Sequence, residues 1–174
     1  MLAAVVSDTH GITGEVIRVL QRYALDALFF LGEYCADAET ISAALKPGLP
    51  VFAVAGNGDA FRQCFEPTWK TVKLGGKTFY LTHGHQLRVK QMLEPLIEAG
   101  AKAGADVILY GHTHIPRIER AAGAWIMNPG SAAFPRGVDD ATFGLIEWQE
   151  DTPVTLMILE VDSGRLLYSS VDYI

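Results

Sequence analysis

The sequence lacks the features that mark a chain for export, membrane insertion or nucleic-acid binding. Among its 174 residues are two cysteines, Cys35 and Cys64, which form no Cys-x-x-Cys pair. The expectation is two reduced, mostly buried thiols rather than a disulfide or a zinc site. No apolar run approaches the roughly 20 residues that cross a bilayer, and Met1 leads straight into Leu2–Val6 without a basic leader. The expected compartment is the cytoplasm. Basic residues are outnumbered 14 to 20, for a net charge of −6. A protein whose affinity comes from a phosphate backbone needs the opposite balance, so nucleic acid is not an expected partner and neither is a membrane. The mid-chain cations Arg62, Lys70, Lys73, Lys77, Arg88 and Lys90 read as solvated faces of strands and helices. Long loops that would shape a specificity pocket are also scarce.

What is present is ordinary globular composition, 49% hydrophobic and 20% charged, in a length that suits one domain spanning residues 1–174. Short apolar runs at Leu2–Ser7 and Ala27–Leu31 flank Glu15–Tyr23, where Val16, Val19, Leu20 and Tyr23 recur at helical spacing. This is a β-α-β opening. A second helix over Ala38–Leu45, with Asp37 as its expected N-cap, stops at Lys46-Pro47-Gly48 before the strand Val51–Ala55. Trp69–Leu74 and Thr78–Thr82 read as a hairpin, Val89–Lys102 as a helix, and Asp106–Tyr110 as a buried strand. The last third, with Arg117–Arg120, Trp125–Asn128, Thr142–Trp148, Thr155–Val161 and Leu166–Val171, reads as antiparallel β. An α/β half joined to a β-rich half implies two sheets packed face to face with helices outside. Exposed strand edges leave a homo-oligomer open, with Trp125 and Trp148 expected in the core.

All five histidines fall in three stretches, Asp8-Thr9-His10, His83-Gly84-His85 and Gly111-His112-Thr113-His114, each just past an apolar run. Gly32-Glu33 and Gly56-Asn57-Gly58-Asp59 hold the same position after two further runs. Five strand ends thus converge on the rim where open α/β sheets bind ligands. Oxygen and imidazole donors without thiolate suit Mn²⁺, Fe²⁺, Zn²⁺ or Ni²⁺. Seven donors, Asp8, His10, Glu33, Asn57, His83, His112 and His114, are enough for two ions.

The ordered set Asp-x-His, Gly-Glu, Gly-Asn-x-Asp, His-Gly-His and Gly-His-x-His resembles the calcineurin-like metallophosphoesterases, and within them the small YfcE-type phosphodiesterases. Asn128-Pro129-Gly130-Ser131 with Pro135-Arg136 is similar to the segment that closes the site in that branch. The resemblance implies a four-layer α/β/β/α sandwich with two mixed β-sheets. It implies a small phosphoester substrate cleaved by a hydroxide bridging two divalent cations, with Mn²⁺ first among Mn²⁺, Ni²⁺, Zn²⁺, Fe²⁺ and Mg²⁺. Asp8, His10 and His114 would hold one ion, and Asn57, His83 and His112 the other. Residue 33 would bridge them, and Asp8, Glu33 and Asn57 would be the catalytic positions. His83 is chosen over His85 by the resemblance alone; His85 and Arg136 are left as substrate contacts. The chain departs at Glu33, where the branch has Asp, and Asp37 is the nearby acid that could compensate. It departs from larger members at Gly58, where they carry His. The retromer scaffold subunit, which has an altered site and serves as a platform for partners, is the alternative.

Overall fold

The computed structural model describes residues 1–61 and 64–173, and for 61, 172 and 173 the backbone alone. Arg62 lies outside the described residues. Eleven strands and three α-helices are described in order: β1 (Leu2–Val6), α1 (Gly14–Leu20), β2 (Ala27–Phe30), α2 (Cys35–Leu45), β3 (Val51–Ala53), β4 (Trp69–Leu74), β5 (Lys77–Thr82), α3 (Glu94–Lys102), β6 (Val107–Leu109), β7 (Arg117–Ala121), β8 (Ala124–Asn128), β9 (Thr142–Glu147), β10 (Thr155–Glu160) and β11 (Leu166–Ser169). They form two mixed sheets flanked by helices. One sheet has the order β11-β10-β9-β1-β2-β3 and the other β4-β5-β6-β8-β7.

Packing follows from side-chain alternation. Along β1, Ala3 and Val5 face the second sheet, with Phe29 from β2 and Phe79 and Leu81 from β5 in one central cluster. Ala4 and Val6 turn the other way, onto Val16, Val19 and Leu20 of α1 and Ile41 of α2. Leu96 of α3 packs on Tyr80, Ile108 and Ile126 on the outer face of the second sheet. Strands covered on both faces by helices and a partner sheet carry unbroken apolar runs, as β1, β2 and β6 do. Trp125 and Trp148 are buried, as expected, and Trp69 is the exposed tryptophan.

The two halves are not consecutive in the way the periodicity suggests. β9 pairs antiparallel with β1, matching Val5 to Gly144, so the last three strands return to the first sheet. β8 runs parallel to β6, so the last third is not wholly antiparallel. The helix expected from Val89 begins only at Glu94, because residues 88–91 form turns and 92–93 do not continue into a helix.

The cysteine expectation is overturned: Cys35 and Cys64 form a disulfide, with Cα atoms 5.9 Å apart across a sequence separation of 29. β2 and β3 are parallel neighbours, so the segments leaving their C-terminal ends start side by side. Sequence spacing does not show that adjacency. With no free thiols, the compartment expectation loses its cysteine argument. No helix among the described residues is long and apolar enough to cross a membrane.

Candidate metal centre

In the first sheet β1, β2 and β3 are parallel, and in the second β5 and β6 are parallel. The segments that follow all five meet at one rim. Two clusters form there. Ligand-capable atoms of Asp8, His10 and His114 lie within 4.8 Å of one another, as do those of Glu33, His83 and His112. Asn57 joins the second cluster, its Oδ1 standing 3.1 Å from His83 Nε2. The clusters adjoin, since Asp8 Oδ1 is 3.2 Å from His114 Nε2 and 3.9 Å from His83 Nε2. Glu33 lies between them, with Oε1 3.5 Å from His83 Nε2 and Oε2 3.7 Å from His10 Nδ1.

The turns that present these side chains are unusual for their residue types. Asp8, His10, His112 and His114 all have positive φ, between 49° and 68°. The left-handed region costs non-glycine residues energy and persists only where surrounding structure enforces it, most often at functional sites. The enforcing contacts are specific. Ser131 donates its hydroxyl to the Asp8 carbonyl at 2.7 Å. Asn128 donates to the Gly111 carbonyl at 2.9 Å and to Thr113 Oγ1 at 3.0 Å. The segment 128–131 thus braces two donor-bearing loops.

Asp37 is neither the helix N-cap nor a spare donor. The helix starts two residues earlier, at Cys35, and Asp37 Oδ2 accepts from the Thr9 hydroxyl at 2.6 Å and the Gly11 amide at 2.8 Å. The capping role falls to Asp59, whose oxygens accept the Cys35 amide at 2.8 Å, the Tyr34 amide at 3.2 Å and the Gly56 amide at 2.8 Å. Those bonds bind the Glu33 turn to the Asn57 turn. Asp59 also lies close to Cys35 and Cys64, but the sulfurs are bonded to each other and its own oxygens are already occupied.

Protonation is set by burial and by neighbours. His83 Nδ1 lies 2.7 Å from the Leu31 carbonyl and His114 Nδ1 2.7 Å from the Phe134 carbonyl. A carbonyl can only accept, so each Nδ1 carries the proton, and in the neutral ring Nε2 presents a lone pair to the centre. Burial opposes ionisation of Asp8, but His114, His83 and the Ser7 hydroxyl outweigh it and hold the carboxyl below its ordinary range. His83 does the same for Glu33 against desolvation. Asp8 raises His114. Burial, helped by His83 and Lys90, drives His112 down to about 4.

These groups fit a pair of cations. Asp8 is fully buried; its Oδ2 accepts from Ser7 at 2.6 Å and from the His112 amide at 3.0 Å, but Oδ1 has no hydrogen-bond partner. An ionised oxygen sealed from water without a donor is costly unless a cation occupies its open side. His10 Nε2 faces His114 Nε2 at 3.3 Å. Atoms bound about 2.0–2.1 Å from one ion stand roughly 3 to 3.4 Å apart, so these short spacings match the edges of a coordination shell.

The family model for the calcineurin-like phosphoesterase superfamily domain matches residues 1–151. The chain belongs to that superfamily. Among its relatives it is 28% identical to a probable metallophosphoesterase, YsnB of Bacillus subtilis, over 87% of this chain and 86% of that one. It is likewise 28% identical to the phosphodiesterase YfcE of Escherichia coli K12, over 81% and 84%. In fold it is similar to Vps29 of Entamoeba histolytica complexed with zinc, with a TM-score of 0.79, 24% identity and coverage of 98% and 97%.

Against the superfamily pattern, the structure places all seven expected donors at the two clusters. His85 sits beside them, 5.4 Å from His83 and 6.1 Å from His112 between ring centroids. Strand alternation does not relate His83 to His85, because Gly84 takes a positive φ and His85 opens a 3₁₀ turn. Arg136 is exposed near His114, whose carbonyl accepts its amide at 3.1 Å. Two aromatic neighbours of His10 escape sequence reasoning: Tyr34 and Phe134 meet it edge-on at 5.7 and 5.4 Å.

Proposed function

We propose that residues 1–174 act as one metallophosphoesterase domain of the YfcE type, a metal-dependent phosphodiesterase. Asp8, His10 and His114 would hold one divalent cation and Asn57, His83 and His112 a second, with Glu33 bridging; Mn²⁺ is the ion we expect. The observation that carries the reading is the buried Asp8 Oδ1, without a hydrogen-bond partner yet 3.9 and 3.2 Å from the Nε2 atoms of His83 and His114, whose Nδ1 atoms are held by carbonyls. When bound, the cations would neutralise charge on the phosphoryl oxygens and activate water for in-line attack.

The protein's own contribution is positioning. Backbone carbonyls fix the His83 and His114 rings, and the Asp59 bonds lock the Glu33 turn to the Asn57 turn. Gly58 supplies no imidazole to protonate a leaving group, which favours diesters with acidic leaving groups. Arg136 would meet a phosphoryl oxygen, and His85 would line its approach.

Hydrolysis of bis-p-nitrophenyl phosphate tests the proposal. We expect turnover with Mn²⁺ that disappears with chelator. Two bound Mn²⁺ without turnover would overturn it in favour of a protein-binding scaffold. A specific feature favours that second reading: Ile12, Ile115 and Phe134, each close in sequence or space to His10 or His114, are about half exposed.

A further inference from the structure

The acidic balance of the chain breaks down at one place beside the metal centre. Between β5 and α3, residues 84–92 fold into a compact series of turns: the Arg88 amide bonds the His85 carbonyl, and the Gln91 amide bonds the Arg88 carbonyl at 2.8 Å. Val89 is buried, and its side chain lies against Gly84, where a Cβ would stand 2.8 Å from Val89 Cγ2. That anchor pins the turn, and the exposed cations Arg88 and Lys90 flank it on either side. Arg88 is held at φ 55°, a conformation costly for any residue but glycine outside an enforced turn.

These cations wall a cavity of about 370 Å³ that they share with His85, Gln91, Met92 and His112. A second cavity, about 270 Å³, opens on the other side of Lys90 and reaches Thr113 and Arg136. No Asp or Glu lines either one. Among the described residues neither Arg88, Lys90 nor Arg136 has a carboxylate partner, whereas Arg18, Lys70, Arg117 and Arg165 all do. What sets Arg88 and Lys90 apart from the other unpaired cations is that the two share one cavity that no carboxylate lines. Together they turn charged donors toward one concave space, which suits a phosphate. Lys90 and His112 line the same cavity, which places the ammonium beside the second cluster. Arg88 and Lys90 are exposed as expected, but they lie on turns and not on the face of a strand or helix.

We propose that the cavity walled by Arg88 and Lys90 is a second phosphate subsite, so that substrates of this chain carry a further phosphate beside the phosphoryl group that is cleaved. The inference rests on the phosphodiesterase reading for where the first phosphoryl group sits. Its test does not rest on turnover. Titration calorimetry would compare thymidine 5′-phosphate with thymidine 3′,5′-bisphosphate on the Mn²⁺-loaded protein at low ionic strength and fixed free Mn²⁺. We expect the bisphosphate to bind about tenfold more tightly or better, from charge-assisted hydrogen bonds to the added group. Lys90→Ala and Arg88→Ala should each cut that ratio severalfold, and the double variant should bring it near one. Lys73→Ala, which removes an equal charge from an exposed position on β4, should leave the ratio intact. A ratio near one in the parent protein overturns the proposal. So does erosion by Lys73→Ala equal to that by Lys90→Ala, or failure of both nucleotides to bind. A high ratio that falls with Lys90, in a protein that hydrolyses no diester, keeps the subsite and removes the hydrolase reading instead.

Discussion

The Glu33 carboxylate occupies the space over Gly58, so closely that a Cβ on residue 58 would collide with Glu33 Oε2 and stand 3.1 Å from its Cδ. The methylene that distinguishes Glu from Asp is accommodated here by glycine. Gly58 is outside the positive-φ region, so alanine is not excluded by backbone conformation; its penalty falls first on the carboxylate and then on the Tyr34 ring, whose Cε1 would stand 3.1 Å away. Gly58→Ala should therefore lower metal content from two ions per chain toward one and cut diester turnover at least about tenfold. Adding Glu33→Asp should recover part of both, since it withdraws the colliding oxygen. Metal analysis and bis-p-nitrophenyl phosphate kinetics on the single and double variants decide it. Full activity in Gly58→Ala would mean that Glu33 has room to move and is not held as a bridge.

Asp8 gives a test that separates metal binding from folding. Asp8→Asn keeps an oxygen to accept from Ser7 or the His112 amide, but it removes a buried charge that has no donor on Oδ1. Without metal the variant should melt a few degrees below the parent, because the pairing with His114 and His83 that holds the Asp8 carboxyl below its ordinary range is lost. With Mn²⁺ the parent should gain several degrees and the variant much less. Scanning calorimetry with and without chelator reads both outcomes. A variant that melts far below the parent in chelator would show that the Asp8 charge is structural.

The pH dependence of the metal-free protein has two arms. His112, held down at about 4, is neutral in the fold while the unfolded chain takes up its proton near 6.5. Stability should fall as pH drops from about 6.5 toward 4. His114 is raised by Asp8; its contribution is complete below about pH 6.5 and fades as pH rises through its higher folded value. Urea unfolding in chelator should thus peak near pH 6.5, with His112→Gln flattening the acid arm and His114→Gln the alkaline arm. Mn²⁺ should abolish the alkaline arm, because loading displaces the His114 proton. An alkaline arm that survives saturating Mn²⁺ would count against His114 as a ligand.

The disulfide predicts a covalent fingerprint and a stability cost. Peptide mapping without reductant should recover Cys35 and Cys64 in one cross-linked species. Cys35→Ser should cost roughly 3 to 4 kcal/mol in urea unfolding, the chain-entropy value for a loop of this length. Two alkylatable thiols in the native, unreduced protein would refute the bridge.

Which parts of this were legible in the sequence follows from what sequence patterns encode. Apolar runs mark strands, and His10, Glu33, Asn57, His83 and His112 directly follow such runs, so the converging rim could be read from order alone. The interleaving of β9 beside β1 could not, because alternation along Thr142–Trp148 says which face is buried but not which strand lies alongside. Asp59 looks like a turn residue in Gly-Asn-Gly-Asp; only the parallel neighbours β2 and β3 bring the Tyr34 and Cys35 amides to it. The same adjacency pairs the cysteines. The departure of His85 from strand alternation depends on the positive φ of Gly84, a freedom any glycine has and few use.

The pairing of β1 with β9 also sets an order on chain synthesis. The amino-terminal strand holds Asp8 at its end, yet one of its two edges is completed only by residues 142–147, and the Asp8 carbonyl receives its hydroxyl from Ser131. Such long-range pairing is slow, and until it forms an exposed strand edge is free to associate wrongly. A nascent chain released up to about residue 115 would carry all seven donors without the segments that fix Asp8. Metal acquisition by this protein should therefore be a late event, coming after the last three strands have closed the first sheet.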